Sequence, residues 1–528
     1  MKFKIYIILI ILLIFNTALV NAVSDGGDLK VKVELRPFNL NPIYAENETE
    51  LMINKQIFDT LVTYNGQEEV ISSLAEAWEV NDDSKLFIFD LKKAVYFHPY
   101  KIGGKEVPLD EREVTAKDWK RSFEYLAAPN NESPYAELLN KIKGYEEYRQ
   151  GESTEIIGIK VKDQYQLEIE LKESYAPFIY NLAEEAAVVI PAEAVIDSNF
   201  DFSTGPVGTG PFKFDNLSKN KVTLIKNNNY WKNNYQAEEL PYINQIEINF
   251  AAENDLKENL KEFDLYQLSS EEYFDYQKDK NEYNGYQFKK VADNSVYFAG
   301  LNYNSSLSQE IKYNQLQEIL SYIINKNNFI DNLNLDYFIL LVDDSNTQPF
   351  LNHLNSNLKN SEDINPSHIS KRLKLAINDS KINIQIANDL QKILKAENIN
   401  LEINKYSWAE YLNRLNAKNL NSQLFIMSAD YNNRFEFIYD NFYSTSNSNY
   451  FGYQKERMDN LIDYLKLVNG EQKTKRAIEI VRDIIKEDNP FIFIFQGADP
   501  YLVSDKFDNQ EIFKNFTEKY NFEELYLE

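Results

Sequence analysis

Between Leu74 and His98 the rhythm of apolar and polar positions changes twice. Leu74, Ala75 and Trp78 stand at helical spacing and predict a helical turn. Asn81-Asp82-Asp83-Ser84 predicts a reversal, and the unbroken run Leu86-Phe87-Ile88-Phe89 predicts a buried strand. Strict alternation marks further strands. Leu29-Lys30-Val31-Lys32-Val33 is one. Ile157, Ile159 and Val161 alternate with Lys160 and Lys162, while Leu167, Ile169 and Leu171 alternate with Glu168, Glu170 and Lys172. Those two arms predict a hairpin turning at Asp163-Gln164.

Helical spacing predicts helices through Leu51, Met52, Ile57 and Phe58, and over 313–330 with Leu316, Ile319, Leu320, Ile323 and Ile324 on one side. Thr115 with Asp118 three residues on reads as a capped helix start. After Lys371 strands and helices take turns. Leu373 and Leu375 mark a strand, Ile386 to Leu394 a helix, Leu401 to Ile403 a strand and Gln423 to Ile426 another. One helical region spans Arg457 to Glu487, and a strand covers Phe491 to Phe495. Such alternation predicts α/β lobes with mixed sheets. In Gly208-Thr209-Gly210-Pro211 the glycines are expected to allow backbone conformations closed to other residues. The absence of a Gly-Lys-Ser/Thr ending argues against a phosphate loop.

The length of 528 residues implies more than one lobe. Lys2 and Lys4, the apolar run Ile5 to Phe15 and Val20-Asn21-Ala22 together read as a secretory signal cut after Ala22. The run is shorter than the roughly 20 apolar residues of a spanning helix. With no cysteine, neither a disulfide nor a lipid-carrying thiol is available, so a periplasmic, unanchored protein is expected. The net charge of −26 becomes two units more negative once Lys2 and Lys4 leave. Such a field repels nucleic acid and anionic lipid, and reads as solubility or as adaptation to high salt.

No catalytic constellation stands out. His98, His353 and His368 form no metal-binding spacing, and there is no Gly-x-Ser-x-Gly. His98 reads as a packed histidine. No cofactor and no metal is expected, and an enzyme is disfavoured.

Several of these stretches together resemble one family. Leu74-Ala75-x-x-Trp78 with the polar turn and aromatic strand, Phe58-Asp59-Thr60-Leu61, Gly208-Thr209-Gly210-Pro211 and Lys226-Asn227-x-x-Tyr230-Trp231 are similar to the pattern of the extracytoplasmic solute-binding proteins of peptide/nickel/opine-type ABC importers (family 5). The likeness covers roughly residues 28 to 505. It departs at the charged insertion after Gly104, at Gln317 and Asn325, where the family carries Arg and Asp, and over the Asn-rich residues 331–370.

The resemblance implies an α/β fold of the type II periplasmic-binding-protein kind (cluster C). Two lobes close on a cleft, with an additional inserted domain. Lobe I is expected from residues 23–58, 192–295 and 499–528, the inserted domain from 59–191, and lobe II from 296–498. It also implies a monomer that captures a solute, by default a peptide, and passes it to a permease with its ATPase subunits. A sugar- or metal-chelate-binding relative, or a sensor without import, stay open as alternatives. Met427-Ser428-Ala429-Asp430-Tyr431-Asn432 aligns with the family's Trp-x-Ala-Asp-Tyr-Asn. Asp430 is then the ammonium partner, Met427 stands in place of the Trp, and Tyr431 and Asn432 adjoin; the bland alternative for Asp430 is a turn. Tyr135 in Ser133-Pro134-Tyr135-Ala136 resembles a pocket tyrosine or is ordinary packing. Glu46 sits where some relatives have a pocket acid, although a solvated loop glutamate is the simpler reading, and Tyr297 is placed to line the cleft.

Overall fold

Alternation in β1 (Asp28–Lys32) buries Leu29 and Val31 and leaves Asp28 and Lys30 in solvent. The computed structural model describes residues 26–65, 69–197, 200–233, 239–250, 260–305, 339–340, 372–396, 398–430, 433–488, 490–508 and 520–527. The expected signal segment, the helix at 313–330, the stretch 331–370, and Tyr431 and Asn432 lie outside them, apart from the pair Ile339–Leu340. After β1 comes α1 (Glu48–Ile57), opened by Asn47, whose side chain accepts the Glu50 amide.

A four-stranded sheet follows in the order β2-β3-β5-β4, built from β2 (Ala75–Val80), β3 (Leu86–Leu91), β4 (Ile159–Asp163) and β5 (Gln166–Glu170). The helical turn expected at Leu74–Trp78 is a strand instead. Trp78 pairs with Phe89, and Val80 with Phe87. The reversal decides it. Ser84 adopts φ 54°, and the Asn81 side chain accepts the Lys85 and Leu86 amides at 2.9 Å each. That makes a hairpin, which needs a strand on its near side too. Phe87 and Phe89 are wholly buried against Trp119 and Phe123 of α2 (Ala116–Ala127). The Thr115–Asp118 box forms as the spacing predicts, with the Thr115 amide donating to Asp118 at 2.8 Å. The charged insertion falls in a short hairpin, Tyr100–Ile102 with Lys105–Val107, whose Tyr100 is buried and whose charged residues are exposed.

The large sheet takes β1 and the strands β6 (Phe212–Leu217), β7 (Lys221–Lys226), β8 (Gln245–Asn249), β9 (Leu265–Gln267), β10 (Tyr286–Leu301), β11 (Arg372–Asn378), β12 (Asn400–Tyr406), β13 (Leu424–Asp430) and β14 (Phe491–Ser504). Their order is β6-β7-β8-β1-β9-β14-β10-β13-β11-β12. The glycines of the Gly208 loop have no left-handed backbone. A Cβ on Gly208 would stand 2.1 Å from the Ile57 carbonyl oxygen, and one on Gly210 2.5 Å from that of Gln56. Close approach to the end of α1, not a special φ, requires them.

Packed on the second half of the sheet are α3 (Lys381–Ala396), α4 (Trp408–Asn416), α5 (Arg434–Phe442), α6 (Glu456–Leu467) and α7 (Glu471–Asp488). The single helical region expected at 457–487 is broken between α6 and α7, where Gly470 takes φ 104°. The strand expected at 491–495 runs on to Ser504, because it joins two cores. Phe491 and Phe493 pack with α5 and α6, while Tyr501 and Val503 pack with β1 and α1. Its partner β10 does the same through Val296 and Val291. Where the two strands pass between cores, Ala292 pairs with Ala498, and the register slips at Ala292/Val296. Small side chains and a bulge mark this waist.

Candidate functional site

Asp430 is the last residue of β13, opposite Ser295 of β10, and is exposed. Tyr297 pairs with Ser428, is hydrogen-bonded to it, and stacks on Phe495 with centroids 4.5 Å apart. Side chains alternate along a strand, so Asp430 shares a face with Ser428 and Tyr297. Met427 falls on the opposite face, packed with Ala429 against the cluster of Phe298 and Phe435. The structure therefore brings Asp430 and Tyr297 together and separates Met427 from both. Among the described residues no cation meets the Asp430 carboxylate, and partial desolvation holds its pKa above the usual range.

Beyond Asp430 the chain turns at Asn433, whose side chain accepts the Glu436 amide at 2.9 Å and starts α5. One wall of a cavity of about 230 Å³ is Asn433, Phe435, Glu436, Tyr439 and Asp440. Facing them are Leu138, Tyr175, Pro177, Asn181 and Glu184 from the segment inserted between α1 and β6. The two walls touch beside the cavity. Tyr175 meets Phe435 edge-on at 5.8 Å, and the Ala176 amide donates to the Lys466 carbonyl at 2.7 Å. Ser84 Oγ donates to the Leu467 carbonyl at 2.9 Å.

Burial, then Glu436 and Glu185, push the Glu184 carboxyl up to about 8. Burial and Asp440 push Glu436 up to about 7. Asp440 is raised too, mainly by burial, against a hydrogen bond from Ser446. Glu436 is exposed and Glu184 and Asp440 are half-buried, and a cation beside such carboxylic acids pairs with them as they ionise. Among the described residues no three His, Cys, Asp or Glu side chains are grouped to hold a metal ion.

Tyr135 lies just before the Ala136–Leu139 turn, whose Leu138 lines the cavity. Its hydroxyl donates to the Ala45 carbonyl, beside the exposed Glu46. Burial, then the charges of Glu185, Glu46 and Glu184, raise the phenol to about 12. Tyr135 and Glu46 are thus neighbours. His98 is packed as expected, with Nε2 2.9 Å from the Gly210 carbonyl oxygen, and burial pushes it down to about 4. Glu184, Glu436 and Asp440 escaped the sequence reading. Glu436 and Asp440 are four apart on one helix face, a like-charge pair that spacing alone shows, but nothing along the chain joins them to Glu184.

Residues 69–344, more than half of the chain, match the bacterial extracellular solute-binding proteins, family 5 (middle). The oligopeptide-binding protein OppA of Bacillus subtilis is 26% identical over 209 residues, which cover 38% of this chain and 36% of that protein. The dipeptide-binding protein of Escherichia coli is 29% identical over 217 residues, 39% of this chain and 38% of its own. The matched stretches thus span little more than a third of those relatives' length. The unliganded open form of the murein tripeptide binding protein MppA superposes with a TM-score of 0.74 at 17% identity, covering 96% of this chain and 98% of that one. The fold is that of the type II periplasmic binding proteins. Among the described residues no helix is long and apolar enough to cross a membrane. The chain belongs to family 5 of the bacterial extracellular solute-binding proteins.

Proposed function

We propose that this protein captures a peptide outside the cytoplasmic membrane and delivers it to a membrane permease driven by ATPase subunits. Asp430 carries the reading. It is an exposed carboxylate at a strand end, on the same face as Tyr297 and without a cation among the described residues. A peptide's free ammonium is a cation that must be paired once it leaves water. The names of similar proteins, which are said to bind oligopeptides, dipeptides and tripeptides, support the same ligand class.

In this proposal lobe I (23–58, 192–295, 499–528) and the inserted domain (59–191) form one side. Lobe II (296–498) swings against them about the Ala292–Ala498 waist. Ligand held from both sides shifts the population toward the closed form, and a closed monomer is what docks on the permease. Native mass spectrometry of the protein purified from its own host, followed by release of what is bound, tests it. Short peptides would support the proposal; a sugar or metal chelate would overturn the cargo.

A further inference from the structure

Helix α6 ends without closing itself. Leu467 is followed by Val468 in extended backbone (φ −73°, ψ 127°), and neither Val468 nor Asn469 takes the left-handed conformation that caps many helices. The Val468 amide donates to the Tyr464 carbonyl at 2.9 Å, which leaves the carbonyls beyond it to find donors elsewhere. Those donors belong to the inserted segment. The Ala176 amide donates to the Lys466 carbonyl at 2.7 Å, and Ser84 Oγ to the Leu467 carbonyl at 2.9 Å. Asn469 reaches back the other way. Its Nδ2 donates to the Val80 carbonyl at 2.7 Å and to that of Asn81 at 3.4 Å.

On the inserted side these groups are already knit together. Ser84 is wholly buried; its carbonyl accepts the Tyr175 amide at 3.1 Å, and its own amide donates to the Asn81 carbonyl at 2.9 Å. The Tyr175 ring packs with Tyr180 against the cluster of Phe435 and Phe437. Every group in this contact is protein, so the contact needs no ligand to form. Asp430 is exposed while the contact is made.

We infer that the end of α6 and the Ser84–Ala176 surface form a clasp that stays joined, a second pivot holding lobe II to one axis of closure. A body tied at one point turns in any direction. Tied at a second point on another element, it turns only about the line between them. The Ala292–Ala498 waist is the first tie and the clasp the second. A lobe so guided has less freedom to lose when ligand binds. This rests on the lobe-closure reading proposed above.

The chain has no cysteine, so spin labels attach only where one is introduced. Asp82→Cys and Lys473→Cys, both at exposed positions, put one label on each side of the clasp. The full chain carrying them is measured by pulsed electron resonance, alone and with tri-alanine, tri-leucine or tri-lysine. X-ray scattering follows the radius of gyration, and calorimetry the affinity. The label distance is expected to be narrow and unchanged by peptide while the radius falls. Asn469→Ala should broaden the distance distribution and weaken binding about threefold, the scale of ordering one side chain.

A label distance that shifts as the radius falls would mean that closure makes or breaks the contact, and overturns the inference. Tighter binding by Asn469→Ala, the mark of a brake on closure, would overturn it too. If that variant does not fold, Asn469→Asp keeps the size, loses the donors and must broaden the distribution likewise. Bound peptide with no fall in radius removes closure and the pivot together. If no peptide binds, the cargo reading fails by itself and the free protein decides the clasp. A broad wild-type distribution, or one that Asn469→Ala leaves unchanged, then overturns it.

Discussion

Glu184 and Glu436 come from opposite walls of one cavity, and the charge of Glu436 is the largest influence on Glu184 after burial. With ordinary values raised to about 8 and about 7, the pair holds more than one proton at neutral pH. A cation entering the cavity favours the ionised forms, so binding expels protons. Release should be roughly one proton per cation near pH 7, and should vanish above about pH 9, where both are ionised already. Affinity for a cationic ligand should therefore rise with pH through this window. Calorimetry in buffers of different ionisation enthalpy measures it, and Glu184→Gln should remove most of the release. Identical enthalpies in all buffers would exclude the cavity as the place where the cation binds.

Asp430 shares one face of β13 with Ser428, opposite Tyr297 of β10. Asp430→Asn keeps the shape and removes the charge. Peptides with a free N-terminus should lose about 2–5 kcal/mol of binding, whereas N-acetylated peptides should change little. Parallel titrations of the two forms separate an ammonium partner from a residue that merely begins a turn.

His98 gives an acid-side signature. Its ring is buried, Nε2 donates to the Gly210 carbonyl, and Nδ1 has no partner among the described residues. Its pKa is depressed from 6.5 to about 4. The stability it contributes is complete above 6.5 and is lost as pH falls through about 4. Urea midpoints measured between pH 7 and pH 4 should fall less steeply in His98→Gln than in the wild type, although the variant is less stable at pH 7. Parallel slopes would remove His98 from the acid response.

Two glycines separate crowding from conformation. Gly208→Ala drives a methyl group into the Ile57 carbonyl and should cost about 3 kcal/mol, since backbone cannot move aside cheaply. Gly103, at φ 55° in the short hairpin, has nothing within 4 Å of an added Cβ. Gly103→Ala should cost about 1 kcal/mol. Denaturant titration of both variants compares them directly, and equal losses would contradict the crowding argument.

Periodicity found the elements whose burial is one-sided. β1, β4 with β5, α2 with its Thr115–Asp118 cap, and the run of strands and helices after Lys371 are all legible, because alternation and caps are local consequences of burial. The Leu74–Trp78 reading failed because three apolar residues at helical spacing do not outweigh pairing with Phe87 and Phe89. The break at Gly470 was overlooked because the apolar spacing resumes on both sides of it. Tyr431 and Asn432 fall outside the described residues and add nothing to this comparison.

The sequence by itself determined the α/β class, the family pattern and the segment that ends in Asp430, since each is written in neighbours along the chain. Only the tertiary structure decided that Met427 and Asp430 point to opposite faces. It also set Glu184 against Glu436 and gathered four loop amides onto Glu50. The reason is physical: charge, burial and hydrogen bonding act through space, and Glu184 and Glu436 come from segments far apart in the chain.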